Sequence, residues 1–484
     1  MITAANIQYQ LADRVHGLGP GGLGAMLLLA RKVGLISAID NRLHVLKRHL
    51  PYHESDHVLN IAFNILAGGE CIEHLELRRN DEVYLDALGA QRIPDPTTAG
   101  DFCRRFTEPD IVDLMDAANE TRLGVWSQQP AEFFDQAILD VDGTLVATDA
   151  ECKEGVGLSY NGVWGVHPLL ISLANTAEPL FLVNRPGNRP SHDQAAGHLD
   201  RAIDLCRRAG FRRILMRGDT DFSQTAHLDA RDDAGDVHFV FGMDASPKLK
   251  GIAEDLPDSA YRLLERPKRD VVKTSPRTKP ARVKEQIVRE RGYKNLHVVE
   301  EHVAEFRYRP VACNRDYRVI VLRKRVVTDQ NQMRIFDEYR YFFYITNIVD
   351  ERGTPAEKIV FEANDRCDQE NLIAQLKGGV RALTAPVDDL LSNWAYMVMA
   401  SLAWSLKAWA ALLVPVLPRH AARHEAERRS LSRMEFPTFL ATMIQMPCQI
   451  VKGGRRLVYR LLSWNPWQGV FLRLVERLHG SRLC

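Results

Sequence analysis

The stretch Ala137-Ile138-Leu139-Asp140-Val141-Asp142-Gly143-Thr144 decides how we interpret the fold of this chain. It is a β-prone apolar run that ends in acidic residues. A second such run, Phe211 to Met216, ends in Arg217-Gly218-Asp219. If the two runs are neighbouring strands, Asp142 and Asp219 project from the same end of one sheet. The sequence therefore predicts an α/β fold with two oxygen ligands at one edge of its sheet.

The segments around these two runs predict the order of a catalytic core. Three further runs are β-prone: Val166 to Ala174, Leu180 to Val183 and Val237 to Phe241. Ser191 and Gln194 form a capping-box pattern ahead of a helix that runs to about Ala209. The predicted order is therefore three antiparallel strands followed by a helix, a strand, a helix and a strand. This is the order of a ribonuclease-H-like core.

The rest of the chain divides by composition and periodicity into flanking and inserted segments. Residues near the start have apolar positions at helical spacing, and the chain beyond about 385 is helical again and then basic. At residues 94–106, a DNA-binding helix-turn-helix and plain helical packing both fit the pattern. The predicted units are a helical N-terminal region for DNA binding or dimerisation (1–130), the first part of the ribonuclease-H-like core (131–250), a basic β-rich insertion (251–340), the second part of the core with the Glu370 helix (341–415) and a basic helical C-terminal region (416–484).

Composition and charge restrict the class of protein. The 484 residues are 45% hydrophobic and 26% charged, which matches a soluble globular protein of several units, and no run of the sequence predicts a membrane span. Residues 261–340 hold 21 Lys and Arg against 11 Asp and Glu, and residues 407–484 hold 13 against 4, although the whole chain is only +1. Two cationic segments in an otherwise acidic chain are typical of a protein that binds a polyanion. The alternative interpretation is that these residues are ordinary solvated charges on the surface.

The eight cysteines and the N-terminus bear on the compartment. The cysteines are far apart and form no C-x-x-C pair, so neither a disulfide framework nor a zinc site is predicted. The first residues lack a secretory pattern, which makes the cytoplasm the expected location.

A third carboxylate, Glu370, lies on a predicted helix with two cations. Thr354-Pro355-Ala356-Glu357 is a strong helix start, and Gly378-Gly379 is a natural stop. At 100° per residue, Arg366, Glu370 and Lys377 fall within about 40° of one another. The helix can therefore offer Glu370 to a metal and the two cations to phosphates. A row of surface ion pairs is the alternative interpretation.

Three carboxylates suit divalent metal chemistry. Asp142, Asp219 and Glu370 supply the oxygen ligands that Mg²⁺ prefers, with Mn²⁺ as a substitute. Two such ions stabilise both the attacking and the leaving oxygen of an in-line displacement at phosphorus. Asp140, Asp149 and Asp221 are nearby competitors for these ligand roles.

The ordered set of motifs resembles a known family. The motifs are Leu139-Asp140-Val141-Asp142-Gly143-Thr144, Arg217-Gly218-Asp219-Thr220-Asp221-Phe222 and Arg366-x3-Glu370-x6-Lys377. Together they resemble the DDE transposases of bacterial insertion sequences. Within them the match is to the group with the YREK signature, in which a β-rich insertion separates the second Asp from the Glu. The tyrosine of that signature, three residues before the Arg, is Ala363 here.

The resemblance implies a fold, cofactors and partners. It implies a ribonuclease-H-like core with two Mg²⁺ ions, bridged by Asp142 and completed by Asp219 and Glu370. It also implies a homodimer that binds the terminal inverted repeats of a bacterial mobile element. The protein would then be associated with the nucleoid in the bacterial cytoplasm. Water would first free a 3′ hydroxyl, which then attacks target DNA; hairpin formation at the element ends is also implied as an option. The predicted DNA contacts, from these motifs and from basic runs with interleaved aromatics, are Arg366, Lys377, Arg307, Arg309 and Arg318.

Two other functions fit parts of the sequence. Asp140-Val141-Asp142-Gly143-Thr144 also resembles the opening motif of haloacid-dehalogenase-type phosphatases, with Asp140 as nucleophile and Asp142 as general acid/base. That family's later Gly-Asp-x3-Asp motif fails, because the position four residues after Asp219 is Ser223. A non-catalytic, DNA-binding transposase relic is the third possibility.

Overall fold

The computed structural model describes residues 15–150, 152–159, 162–266, 296–328, 338–349, 353–453, 456–462 and 464–480. Its α-helices span Leu23–Lys32, Leu35–Arg42, Glu54–Leu66, Leu75–Arg79, Glu82–Leu88, Pro96–Cys103, Glu108–Trp126, Ala195–Ala209, Leu228–Asp233, Pro247–Asp255, Ala356–Asp365, Cys367–Ala374, Leu390–Leu413, Ala421–Arg433, Phe436–Phe439 and Gln468–His479. Its strands are β1 (Gly17–Leu18), β2 (Ala137–Gly143), β3 (Val146–Ala147), β4 (Gly157–Leu158), β5 (Trp164–Val166), β6 (Leu169–Leu173), β7 (Glu178–Val183), β8 (Ile214–Gly218), β9 (Val237–Met243), β10 (Arg262–Leu263), β11 (Leu296–Tyr308), β12 (Tyr317–Thr328), β13 (Glu338–Thr346), β14 (Cys448–Gly453) and β15 (Arg456–Leu461).

One large mixed sheet organises the described part of the chain. Its strand order is β10-β11-β12-β13-β9-β8-β2-β6-β7. The three central strands β2, β8 and β9 are parallel, whereas β6 and β7 on one side and β10 to β13 on the other pair antiparallel. Central strands that are covered on both faces read as continuous apolar runs, and β6 and β8 are buried at every position. The predicted α/β class is confirmed.

The strands of the predicted insertion extend this sheet instead of forming a separate one. β13 pairs with β9, and β12 and β11 follow outward. Val319 and Val321 of β12, together with Phe343 of β13, belong to the main hydrophobic core. Residues 267–295 and 329–337, which fall in the same predicted insertion, lie outside the described residues.

A segment of the N-terminal region pairs with one of the C-terminal region, and both form strands inside regions that the sequence predicts to be helical. β14 and β15 form a hairpin within the predicted helical C-terminal region, and β1 from the N-terminal region pairs with β14. The pairing of Leu18 with Cys448 joins positions that no local pattern connects, and a two-residue strand is too short to show a strand period.

The helix Leu390–Leu413 corrects a second expectation. By length and composition it is apolar enough to cross a membrane, and it is almost entirely buried inside the protein. It packs against the helices Glu54–Leu66 and Glu108–Trp126 and against β7. A core helix that is covered on all sides has no polar face, so its composition resembles that of a membrane span.

A buried carboxylate joins this helix to the sheet. Glu178 of β7 is fully buried and accepts hydrogen bonds from Arg122 (2.9 Å), Trp126 (2.9 Å) and Trp409 (2.8 Å). Thr176 donates a further one across 2.6 Å. Since an ionised carboxylate in the interior needs its charge and its lone pairs satisfied, this network fixes the N-terminal region and the long helix onto one edge of the sheet.

Two predicted elements are divided in the structure. The run Val166 to Ala174 splits at His167-Pro168 into β5, which belongs to a small sheet with β3 and β4, and β6, which belongs to the large sheet. The predicted helix up to Gly378-Gly379 is broken at Arg366 and finishes as a π-helical turn over Gln375–Gly379. The regular 100° spacing assumed for Arg366 and Lys377 therefore does not hold.

Candidate active site

Two aspartates leave neighbouring parallel strands at the same end. The pairing of β2 with β8 runs from Ala137 with Ile214 to Val141 with Gly218. Asp142 and Asp219 occupy the next position of the same register. The Oδ1 atom of Asp219 accepts a hydrogen bond from the backbone N–H of Asp221 (3.0 Å), which caps the short turn after β8 and fixes the direction of the side chain.

An ion pair lies one layer beneath these aspartates. Asp140 and Arg217 are opposite each other in the register, and their side chains share a face with Asp142 and Asp219 because alternate residues of a strand point the same way. The guanidinium of Arg217 donates to both oxygens of Asp140, across 2.7 and 2.8 Å, and both side chains are buried. The sheet end is thus braced from below by a bidentate pair.

The glutamate helix is held over β2 by side chains on both sides of Glu370. Gln369 is buried, and its amide nitrogen donates to the carbonyl oxygens of Asp140 and Leu170, each across 3.0 Å. Arg366 donates to Asp142 Oδ2 (3.1 Å), and Lys377 donates to the carbonyl oxygen of Leu145 (2.7 Å). Glu370 itself is exposed.

The charges of the site are unbalanced towards the negative. Burial raises the pKa of Asp142 to about 6; Arg366 opposes this shift, while Asp219 and Glu370 add to it. Burial also raises the pKa of Asp219, with Arg366 again opposing and Asp221 and Asp244 adding. Asp219 and Glu370 therefore both act on Asp142, and Arg366 opposes the raised pKa of Asp142 and of Asp219 without cancelling either shift.

Comparison with known proteins identifies the family. A family model described as transposase DDE domain group 1 matches residues 19–483. The chain belongs to the DDE transposase family. No curated protein matches it. Among solved structures, the chain is similar to the piggyBac transposase in a cryo-EM synaptic complex with hairpin DNA, with 10% identity over 88% of this chain and 81% of that one and a TM-score of 0.35.

Membership of the DDE transposase family gives the site a general chemistry. DDE transposases act on DNA phosphodiesters, and divalent ions are in general their cofactors. In the described part of this chain, no three acidic, histidine or cysteine side chains converge closely enough to surround one ion. The structure brings Asp142, Asp219 and Glu370 into one electrostatic neighbourhood without the direct convergence that we expected from the sequence.

The structure argues against a phosphatase site in this DDE transposase. The proposed nucleophile Asp140 is fully buried and has both oxygens engaged by Arg217, so a substrate phosphate cannot reach it. The next strand of the large sheet after the motif, β6, is antiparallel to β2, whereas the phosphatase fold needs a parallel crossover. Of the other competitors, Asp149 is exposed, and Asp221 is exposed beside Asp219.

The predicted basic contacts of the insertion have different environments. Arg307 is exposed at the end of β11, and Arg309 is exposed and paired with Asp316 (2.9 Å). Arg318 is buried, and it donates to Glu305 (2.9 Å) and to the carbonyl oxygen of Thr354 (2.9 Å). The guanidinium of Arg318 is already used to hold the fold together, which argues against the predicted contact of this residue with DNA.

Several residues of the site were missed by sequence reasoning. Gln369 precedes Glu370 and gives no motif signal, although its position among the apolar residues of the helix could have indicated a buried side chain. The pairing of Asp140 with Arg217 follows from the equal spacing of the two acidic motifs, since 140 and 217 differ by 77 as do 142 and 219. Asp244, just after β9, contributes to the negative charge around Asp219.

Proposed function

We propose that this protein is an active transposase that cuts DNA at the ends of a bacterial insertion sequence and joins those ends to target DNA. The observation that carries the proposal is the common position of Asp142 and Asp219 at the ends of two parallel strands, with the Glu370 helix fixed above them. Membership of the YREK-signature group is supported by Arg366, Glu370 and Lys377. The tyrosine of that signature is replaced by Ala363 in this chain.

The core of this transposase is proposed to be ribonuclease-H-like. The sheet order β7-β6-β2-β8-β9, with the first three strands antiparallel and the last two parallel to β2, supports that assignment. Such a sheet presents the ends of its central strands to a polyanionic substrate, and β10 to β13 widen the surface beside it.

The carboxylates fit divalent cations by their chemistry. They supply hard oxygen ligands. Burial raises the pKa of Asp142, with Asp219 and Glu370 adding to the shift, so a bound cation would offset the cost of the charge on this carboxylate. Asp142, Asp219 and Glu370 would hold two Mg²⁺ or Mn²⁺ ions, with Arg366 released from Asp142 towards a DNA phosphate. When bound, the ions lower the cost of the charge that develops on the attacking and leaving oxygens.

The chain's own residues would position the DNA. Lys377 is half-buried beside Asp142, and burial lowers the pKa of its ammonium group while Asp142 opposes this. Together with Arg366 it provides two donors for the oxygens of the scissile phosphate. Exposed Arg307 and Arg309 would contact the DNA backbone further out. Binding of two inverted repeats by a homodimer in the bacterial cytoplasm completes the proposal.

A cleavage assay tests this proposal. The probe is a supercoiled plasmid that carries the DNA flanking the coding region, incubated with the protein and Mg²⁺ or Mn²⁺. Asp142→Asn, Asp219→Asn and Glu370→Gln should each lower metal-dependent cleavage at the repeat ends by more than about 100-fold, because each removes several kcal/mol of transition-state stabilisation. Asp149→Asn, a nearby exposed aspartate, is the matched control and should cut normally. A wild-type protein that binds these ends without cutting them would indicate a non-catalytic relic.

A further inference from the structure

Tyr344 of β13 lies in the same row of the large sheet as the two strand-end aspartates. Tyr344 pairs with Gly242 of β9. The next position of the β8–β9 register places Gly242 opposite Asp219, just as the β2–β8 register places Asp219 opposite Asp142. Paired residues of neighbouring strands point to the same face of a sheet, so the side chains of Asp142, Asp219 and Tyr344 share one face. Two strand spacings, about 10 Å, separate the backbone of Tyr344 from that of Asp219.

Gly242 lies between Asp219 and Tyr344 in this row and carries no side chain. A Cβ atom built on Gly242 would lie 2.9 Å from the backbone nitrogen of Thr220 and 3.1 Å from the carbonyl carbon of Asp219. Glycine is therefore the residue that lets the turn after Asp219 lie directly over β9. This close approach brings the turn towards β13, the neighbour of β9.

The helix Ala356–Asp365 covers the same face of the sheet. It packs against β8, β9 and β13. Tyr344 and Ala363 both pack against one buried cluster, which includes Val240 and Val360. Position 363 is where the YREK signature has a tyrosine. A phenol is thus present in this part of the fold, although it comes from β13.

Charged groups lie on two sides of this phenol. Burial raises the pKa of Tyr344; Arg266 and Arg366 oppose the shift, while Glu301 and Cys367 add to it. Arg266 is already paired with Glu301 (2.9 Å). Arg366 is the cation of the carboxylate site, so the phenol lies within electrostatic range of that site.

The hydroxyl of Tyr344 is not used inside the protein. Two other tyrosines near this sheet do use theirs, since Tyr317 donates to Asp229 Oδ1 (2.6 Å) and Tyr261 donates to the carbonyl oxygen of Ala253 (2.7 Å). Tyr344 is only partly buried, and its hydroxyl forms no hydrogen bond with any residue that the structure describes. A phenylalanine would pack equally well, so a partner outside the chain accounts for the hydroxyl.

We propose that Tyr344 contacts the DNA substrate, and that its hydroxyl donates a hydrogen bond to a backbone phosphate next to the scissile phosphate. This inference rests on the proposed transposase function. A phosphate oxygen is a charged acceptor, which makes the hydrogen bond from a phenol strong, and tyrosine hydroxyls are among the groups that hold DNA backbones in register. The contact aligns the DNA strand with the row from Asp142 to Tyr344, so that the scissile phosphate lies over the carboxylates.

Tyr344→Phe tests the contact because it keeps the ring and removes only the hydroxyl. The matched control is Tyr341→Phe, three residues away on β13 and therefore on the opposite face of the sheet. The full-length protein is titrated in EDTA with a short duplex from the DNA that flanks the coding region, and cleavage of the plasmid described above is followed in Mg²⁺. Tyr344→Phe should lower both the affinity and the cleavage rate by about 10-fold, the effect of one hydrogen bond to a charged group. Tyr341→Phe should bind and cut as the wild type does, and both variants should unfold near the wild-type temperature.

The salt dependence of binding separates a direct contact from a displaced cation. Arg366→Gln removes a charge and should reduce the slope of log affinity against log salt concentration by about 1. Tyr344→Phe should leave this slope unchanged, because a phenol carries no charge. An equal change of slope in the two variants would overturn the inference, since Tyr344 would then act only through Arg366.

The two readouts also distinguish this inference from the proposed function. If Tyr344→Phe binds and cuts as the wild type does, the inference about Tyr344 fails and the proposed function stands. If the wild type binds the duplex without cutting the plasmid and Tyr344→Phe binds about 10-fold more weakly, the contact is supported and the proposed function fails.

Discussion

Arg217 and Asp140 form a bidentate ion pair with both side chains buried, directly beneath the strand ends that carry Asp219 and Asp142. Arg217 also donates to the carbonyl oxygen of Glu362 (3.3 Å), in the helix that precedes the Glu370 helix. The guanidinium of Arg217 thus links β2 and β8 to the helix Ala356–Asp365. The pair belongs to the support of the site, since neither side chain is accessible to DNA.

Removal of Arg217 should destabilise the protein severely. Arg217→Met leaves the Asp140 carboxylate buried without a partner, which costs about 3–5 kcal/mol in the free energy of unfolding. The double variant Asp140→Leu with Arg217→Met should recover most of that loss, because it removes both charges. Thermal unfolding midpoints measure the effect.

The matched control is an exposed bidentate pair, Arg207 with Asp236. Arg207→Ala should cost less than about 1 kcal/mol, because water replaces an exposed ion pair at little cost. Equal effects of Arg217→Met and Arg207→Ala would contradict the structural role assigned to the buried pair.

Asp142 should destabilise the metal-free protein at neutral and alkaline pH. Its pKa of about 6 in the folded protein lies above the ordinary 3.8, so the folded state holds this proton more tightly than the unfolded chain. The contribution of the carboxyl to stability is complete below about pH 4 and is lost as the pH rises through 6, which amounts to about 3 kcal/mol by pH 8. In EDTA, Asp142→Asn should therefore unfold at a higher temperature than the wild type at pH 8, and the difference should vanish near pH 4.

The exposed Asp149→Asn variant controls for a general effect of removing negative charge. It should show no such dependence on pH. A lower unfolding temperature for Asp142→Asn than for the wild type at pH 8 would mean that the ion pair with Arg366 outweighs the burial of the carboxylate.

Divalent cations should stabilise the wild type through the same carboxylates. At a concentration 100-fold above its dissociation constant, a ligand that binds only the folded state adds about 2.7 kcal/mol. Mg²⁺ should raise the unfolding temperature of the wild type and have little effect on Asp142→Asn. NaCl at equal ionic strength is the control, and an equal shift with NaCl would exclude a specific site.

Gln369 should act as a positioning residue for Glu370. Gln369→Leu removes the donor to the carbonyl oxygens of Asp140 and Leu170, so the helix loses its attachment to β2 and β6. Cleavage should fall by about 10- to 100-fold, as is usual for residues that orient metal ligands, with DNA binding retained. Asn371→Ala, at an exposed position of the same helix, should have no effect. Unchanged cleavage by Gln369→Leu would remove Gln369 from the site.

The positions of the three proposed metal-binding carboxylates in strands and helices could be predicted because each has a local signal. Asp142 and Asp219 follow short apolar runs that form strands, and Glu370 follows the helix-start pattern at Thr354-Pro355, although its own helix begins only at Cys367. The alternation of strands and helices also indicated the mixed fold. The helical spacing of Arg366 and Lys377 was a weaker guide, because the break at Arg366 and the π-helical turn change their relative directions.

The sequence by itself determined the class of fold, the strand-end positions of Asp142 and Asp219 and the charge of the segments, because these depend on neighbouring residues and their periodicity. Only the tertiary structure decided that Arg318 is buried, that β1 pairs with β14, that β10 to β13 extend the central sheet and that His167 faces Gly143. Each of these depends on contacts between residues remote in the chain. Such contacts are set by how whole elements pack, and local pattern does not encode them.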